Sequence, residues 1–260
     1  MILGFDIGNT NTIMGIYLPG DQAPSREYRY TTMKNSAVDE TAALILSFLR
    51  AHDIIEHQNG AIEGIVVSSV VPEINSMYLQ IAEKYFTISP IILSHQSKTS
   101  ISIQYDDITQ LGIDRIVNCE AAHTHYGIDA VIIDMGTAMT VSVLSAAGVF
   151  EGGLIAPGLQ TSINALSQRA SQLFTVPIEK PSSIIAKNTH DALISGSFYG
   201  WTCMIDGFLA KINEETRRSN TIILTGGLSS VIGPHLEGNI IIDGQLTMKG
   251  LRLLYNLNKT

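Results

Sequence analysis

Charge is scarce in this chain. Only 15% of its 260 residues are charged, and 24 acidic residues outnumber 16 basic ones, leaving a net charge of −8. No basic run of useful length occurs, which argues against nonspecific nucleic-acid binding, because that needs clustered Lys and Arg. Cysteine is almost absent. Cys119 and Cys203 form no CxxC pair, so no disulfide scaffold or thiolate metal site is implied, and two reduced, mostly buried thiols in a cytoplasmic protein are expected. Long apolar runs are missing too. The stretches near 65–71 and 130–144 are short or broken by Asp134, so no membrane-spanning helix is expected. Asp6 interrupts the apolar start and no positive segment precedes it, unlike a signal peptide.

Several phosphate-handling and hydrolytic signatures are also missing. There is no G-x-x-x-x-G-K-[ST], no G-x-G-x-x-G after the first strand, no protein-kinase set and no G-x-S-x-G elbow. His123 and His125 stand two apart, which on a helix aims them at different faces. They read as surface histidines rather than metal ligands.

What the chain does contain is one turn written twice. Asp6-Ile7-Gly8-Asn9-Thr10-Asn11-Thr12 follows one apolar run, and Asp134-Met135-Gly136-Thr137-Ala138-Met139-Thr140 follows another, about half the chain later. Glycine admits close backbone approach. The hydroxyl and amide residues beside successive backbone N–H groups suit an anion nest. An acid in such a turn makes sense beside a metal ion that bridges to phosphate. An ordinary Asn/Thr-rich hairpin would read the same from one copy; two copies in equivalent places favour function. A third element, Thr225-Gly226-Gly227, ends a strand near 221–224. Its paired glycines suit backbone lying flat against a base, or a plain strand-to-helix turn.

Periodicity supplies the frame. Strands are expected at 1–5, 12–18, 28–32, 65–67, 91–93, 130–133, 140–144 and 221–224, with a hairpin return at 148–150. Helices are expected at 38–52, 74–85, 114–126, 159–171, 190–215 and 248–255. Alternating strands and helices imply an α/β fold with mainly parallel sheets.

These motifs in order resemble a known family. The Asp6–Thr12 turn, Leu111-Gly112-Ile113-Asp114-Arg115, the second turn, Glu151-Gly152-Gly153-Leu154-Ile155-Ala156-Pro157-Gly158, Asn188-Thr189 and Thr225-Gly226-Gly227 are similar to type III pantothenate kinase, over nearly the whole chain. That family lies within the superfamily of acetate and sugar kinases, heat-shock chaperone ATPases and actin.

The resemblance implies two duplicated ribonuclease H-like domains, here 1–125 and 126–260, with mixed sheets flanked by helices and a nucleotide cleft between them. It implies ATP-dependent phosphorylation of pantothenate, the first step towards coenzyme A, in a cytoplasmic homodimer without nucleic-acid or membrane partners. It implies Mg2+ and a monovalent cation, K+ or NH4+. Asp114 matches the family's general base. Tyr105, Gly112, Ile113, Arg115 and Thr189 match pantothenate contacts. Asp6, Ile7, Gly8, Asn9, Thr10, Asn11, Thr12 and Ile13, with Thr137, match ATP contacts, and Asp134 matches the monovalent-cation ligand. The chemistry is consistent: a carboxylate can take an alcohol's proton during phosphoryl transfer, and a guanidinium suits pantothenate's carboxylate. Asp114 would also serve as a helix N-cap. Ile113 replaces the family's usual Ala and Met139 its usual Thr, which puts substrate affinity in question more than reaction class. The alternative is a catalytically weak relative acting as an accessory factor for transcription, as some relatives were first described.

Overall fold

The computed structural model describes residues 1–51 and 62–259. The chain opens with β1 (Ile2–Ile7), β2 (Asn11–Tyr17) and β3 (Arg26–Thr31), an antiparallel run, then α1 (Val38–Arg50). Position 52, the end of the predicted first helix, lies outside the described residues. β4 (Gly64–Ser69) returns parallel to β1 and is buried at every position, as expected of an apolar run with a sheet neighbour on each side. Pro72 opens a 3-10 turn into α2 (Asn75–Ile81). The predicted helix to 85 is interrupted: Ala82–Phe86 widens into a π turn ending at Thr87, with φ 57°. Lys84 and Tyr85 in that turn both reach Asp39 of α1 at 2.7 Å. β5 (Ile91–Ile92) completes a five-stranded sheet in the order β3-β2-β1-β4-β5.

After β6 (Ser102–Ile103) and α3 (Ile113–Tyr126), the pattern recurs. β7 (Ala130–Met135), β8 (Ala138–Leu144) and β9 (Val149–Pro157) form a second antiparallel run. Next come α4 (Leu159–Arg169), α5 (Thr189–Thr216), β10 (Thr221–Thr225), α6 (Ser229–Ile232), β11 (Ile240–Ile242) and α7 (Leu246–Asn258). The second sheet runs β11-β10-β7-β8-β9-β6. Read from its other edge it repeats the first sheet strand for strand and direction for direction, with β6 added outside. β10 is parallel to β7 as β4 is to β1.

Side-chain alternation sorts the faces. Leu3, Phe5 and Ile7 of β1 join Ile65 and Val67 in the core beneath α1 and α2. The opposite face receives α7, where Met248 and Tyr255 pack against strand glycines Gly15 and Gly64. In the second sheet Val131, Ile133 and Met135 pack with Leu159 and Ile163 of α4 and with Phe198, Trp201, Ile205 and Leu209 of α5. Two compact units result. One holds Met1–Ser100, Asp106–Ala121 and Gln245–Thr260, the other Ile101–Tyr105 and Ala122–Gly244.

Several details differ from the sequence-based expectation. β9 is longer than the predicted return at 148–150, because Gly152 and Gly153 continue the strand at φ 119° and 153°, beside a register shift at Val143/Leu144. β6, β11 and α6 are too short to show a periodic signal. Cys119 is buried but Cys203 is exposed, and both are free. His123 and His125 are partly buried rather than surface residues, the His123 ring lying 2.8 Å from where a Cβ on Gly148 would sit.

Candidate active site

In the first unit the β1–β2 hairpin builds a tight turn. The Gly8 N–H donates to the Asn11 carbonyl at 3.0 Å, so an anion would be met by donors farther along the turn. Asp6 is partly buried, Asn9 and Thr10 are exposed, and Asn11 and Ile13 are partly exposed. Ile7 and Thr12 instead face the interior, and Thr12 is 0% exposed. The Thr12 hydroxyl meets Thr32 Oγ1 at 3.1 Å, so its side chain braces the turn from beneath. Thr32 also donates from Oγ1 to the Gly8 carbonyl (2.6 Å) and from its N–H to the Thr10 carbonyl (2.9 Å). The end of β3 therefore clamps both sides of the turn. Beyond it, Lys34 Nζ donates to Asn9 Oδ1 at 3.1 Å. Neither Thr32 nor Lys34 carries a local sequence signal, since only the pairing of β2 with β3 brings them here.

Also in the first unit, Asp114 is the second residue of α3. Gly112 precedes the helix and its carbonyl accepts the Arg115 N–H at 3.1 Å. The N-cap reading of Asp114 is thus replaced: it sits inside the first turn and its Oδ1 accepts the Arg115 N–H at 2.9 Å. That oxygen folds back over Gly112, where a Cβ would collide with it. Burial pushes the Asp114 carboxyl above the ordinary carboxylate range, against the opposing pull of the Arg115 N–H and guanidinium. Perturbed carboxylates of this kind concentrate at functional sites. His95 Nε2 contacts the Leu111 carbonyl at 2.7 Å and so holds the loop that leads into Gly112. Ile113 is buried and Arg115 is only 3% exposed.

In the second unit the β7–β8 hairpin is one residue tighter. Met135 pairs with Met139, whereas Ile7 pairs with Thr12. Met139 therefore occupies the core-facing position of Thr12, is 0% exposed and packs in the core. The hydroxyl it lacks would have faced inward. The Thr137 carbonyl accepts from the Gly158 N–H (3.0 Å) and from Thr161 Oγ1 (2.7 Å). A Cβ on Gly158 would strike the Gly136 and Thr137 carbonyls, and one on Gly226, at φ +86°, would lie 2.7 Å from Asp134 Oδ1. The last residue of the E-G-G-x-I-x-P-G segment and the Thr-Gly-Gly turn thus both close on the second hairpin. Glu151, at the other end of that segment, pairs with Arg218. Tyr105 is 40% exposed and its ring lies 5.9 Å from that of Phe150. Thr189 is exposed and opens α5 beside its N-cap Asn188.

Among the described residues, no cluster of three His, Cys, Asp or Glu side chains could hold a metal ion. Single carboxylates at Asp6 and Asp134 fit cations that complete their coordination with phosphate, carbonyl or water oxygens, and do not fit a closed protein cage.

Comparison with known proteins gives the family. The family model for type III pantothenate kinase matches residues 2–211. Curated type III pantothenate kinases from Halalkalibacterium halodurans (39% identity over 99% of this chain and 100% of that protein) and Listeria innocua (38% over 100% and 98%) align along the full length. Among solved structures, a Campylobacter jejuni protein named for the Baf family of transcriptional activators superposes with TM-score 0.62 at 21% identity, covering 98% of this chain and 97% of its own. A ROK family glucokinase from Streptomyces griseus, in complex with glucose and AMPPNP, gives 0.57 at 11% identity, covering 99% and 98%. The two structural likenesses show the fold, a duplicated ribonuclease H-like architecture. With the full-length sequence matches, the twin hairpins and the Gly112–Arg115 loop, they lead to one assignment: the chain belongs to the type III pantothenate kinase family.

Proposed function

We propose that this protein phosphorylates pantothenate at its terminal hydroxyl with ATP, giving 4'-phosphopantothenate in the first step of coenzyme A biosynthesis. The observation that carries this reading is Asp114, a carboxylate raised by burial and aimed by the Arg115 N–H beside a glycine that leaves it room. Asp114 takes the proton of the acceptor hydroxyl as the new O–P bond forms. A raised carboxyl is a stronger base than an ordinary one, which suits it to take a proton from an alcohol. Phosphoryl transfer otherwise asks mainly for positioning and charge neutralisation. The first hairpin, Asp6 to Ile13, meets ATP through backbone N–H groups and the exposed Asn9 and Thr10, with Ile7 and Thr12 contributing backbone only. Thr137 is a further nucleotide contact.

Tyr105, Gly112, Ile113, Arg115 and Thr189 are the pantothenate residues. Because Arg115 is buried, it meets pantothenate's carboxylate only where the substrate is drawn into the protein. Mg2+ beside Asp6 and K+ or NH4+ at Asp134 would supply positive charge to the phosphates. The two halves, 1–125 and 126–260, are read as copies of one ancestral domain, supported by the shared strand order. The protein is read as cytoplasmic, without nucleic-acid or membrane partners. Its net charge of −8 supports this, and no helix among the described residues is long and apolar enough to cross a membrane.

A homodimer is supported by one face of α5. Gly196, Gly200, Cys203 and Gly207 recur at helical spacing, and a Cβ on any of these glycines would enter open space. Exposed Leu166, Phe174, Ile184 and Ile185 lie in the same unit.

The test is turnover. Purified protein with pantothenate, ATP, Mg2+ and K+ should release ADP and 4'-phosphopantothenate, and should restore growth of a strain lacking pantothenate kinase. No product, beside a working control enzyme, would overturn the reading.

A further inference from the structure

We propose that Lys34 is a phosphate clamp: its ammonium group meets the terminal phosphates of the nucleotide held by the first hairpin. The proposal rests on the kinase reading above and adds a residue outside every motif that identified the family.

Three observations carry it. The hairpin turn contains an acid, Asp6, and neutral donors but no cation. Phosphoryl transfer nevertheless needs positive charge where charge accumulates. Lys34 Nζ is already at the turn, 3.1 Å from Asn9 Oδ1. An ammonium group has three N–H donors and no acceptor, so this bond leaves two for an oxyanion.

The position of Lys34 is also built rather than incidental. Thr32, two residues earlier, is 7% exposed and bonds to the Gly8 and Thr10 carbonyls, on both sides of the turn. The Lys34 N–H then donates back to the Thr32 carbonyl at 3.1 Å. Beneath this lies a buried hydroxyl set, Thr12 with Thr32 (3.1 Å) and Tyr30 with Tyr78 (3.0 Å). The backbone that presents Lys34 is thus fixed to the turn that it serves.

Local charge is consistent. Asp39, the nearest downstream acid, is taken by Lys84 and Tyr85, and Glu40 is turned onto the Ala37 N–H. Among the described residues, no carboxylate pairs with Lys34. A surface lysine that merely touches an asparagine would contribute almost nothing to binding. One that meets phosphate would contribute a charge-assisted contact, which separates the two readings experimentally.

The experiment measures Mg2+–ATP and AMP binding by calorimetry to the full chain and to its Lys34→Ala and Lys34→Arg variants, with thermal melts as a folding check. Lys34 is exposed, so the variants should melt like the parent. Lys34→Ala should weaken ATP about ten- to a hundredfold and leave AMP nearly unchanged. Its ATP affinity should also depend less steeply on salt, and Lys34→Arg should recover most of the loss. Equal ATP affinity in Lys34→Ala and parent would overturn the clamp, as would equal losses for ATP and AMP, which indicate a structural role. Parent protein that binds no ATP would overturn the kinase reading itself, a result distinct from either.

Discussion

Asp114 carries two opposed demands. As the second residue of α3 it is held by the Arg115 N–H, yet burial raises its pKa. A carboxyl whose folded pKa lies above its unfolded value stabilises the fold fully only below the unfolded pKa, about 4 for Asp, and that contribution is lost as pH rises through the folded pKa. At neutral pH this carboxyl therefore costs stability. Asp114→Asn should lower kcat by about 10²- to 10⁴-fold, the usual contribution of a general base, and at the same time raise the melting temperature at pH 7. The stability gain should close as pH approaches about 3, where the parent carboxyl is also neutral. Melts across pH, beside kcat for both proteins, check this. A variant with normal turnover would remove the base assignment, and one less stable at pH 7 would remove the burial argument. In the parent, the acid limb of the pH–rate profile should lie above the ordinary aspartate range.

The elements show which parts of the site a sequence can reveal. Both hairpins were legible because each concentrates an acid, a glycine and small polar residues between apolar runs. Their inequality was not. An aligned reading sets Asp6–Thr12 against Asp134–Thr140 residue for residue, but the second turn is one residue tighter, so Met139 takes the place of Thr12 and faces the core. Strand register, a non-local property, decides that. It likewise hides Thr32 and Lys34, which reach the first turn only because Asn11 pairs with Thr31. The Thr-Gly-Gly turn and Gly158 were legible as motifs, though their reason, room against the second hairpin, arises only when the strands pair. α5 was legible in extent, and its glycine face yields a prediction. If Gly196 and Gly200 allow two helices to approach closely, Gly200→Arg should convert a dimer to a monomer in light scattering while the protomer stays folded by circular dichroism, since a side chain there meets nothing in its own chain. A dimer that persists in Gly200→Arg would place the contact elsewhere.

At the scale of the whole molecule, chain order and spatial order part company at the C-terminus. The helical period of 248–255 predicts a helix, but nothing local says that it packs on the first sheet. α7 does so, with Leu246, Met248, Leu251, Leu254 and Tyr255 buried. At about 1.5–3 kcal/mol per buried side chain, that face is comparable to the whole net stability of a typical domain, about 5–15 kcal/mol. Tyr17 of β2 donates its hydroxyl to the Met248 carbonyl at 2.6 Å, which ties the helix to the sheet. At Gly250, α7 lies against α3: a Cβ there would strike the Val117 carbonyl one turn beyond Asp114. Two effects compete in Gly250→Ala. Helix propensity favours Ala by about 1 kcal/mol. A methyl group driven into backbone that belongs to another packed helix costs about 1–3 kcal/mol or more. Because the obstacle is a carbonyl rather than the end of a flexible side chain, the clash should win. Gly250→Ala is expected to lose about 1–2 kcal/mol in urea unfolding and to melt several degrees lower. Its kcat should fall with the displacement of α3, while Gly207→Ala, inside α5 with open space around it, should gain up to about 1 kcal/mol and keep turnover. A Gly250→Ala protein as stable as its parent would mean that α7 can shift without disturbing the helix that carries the base.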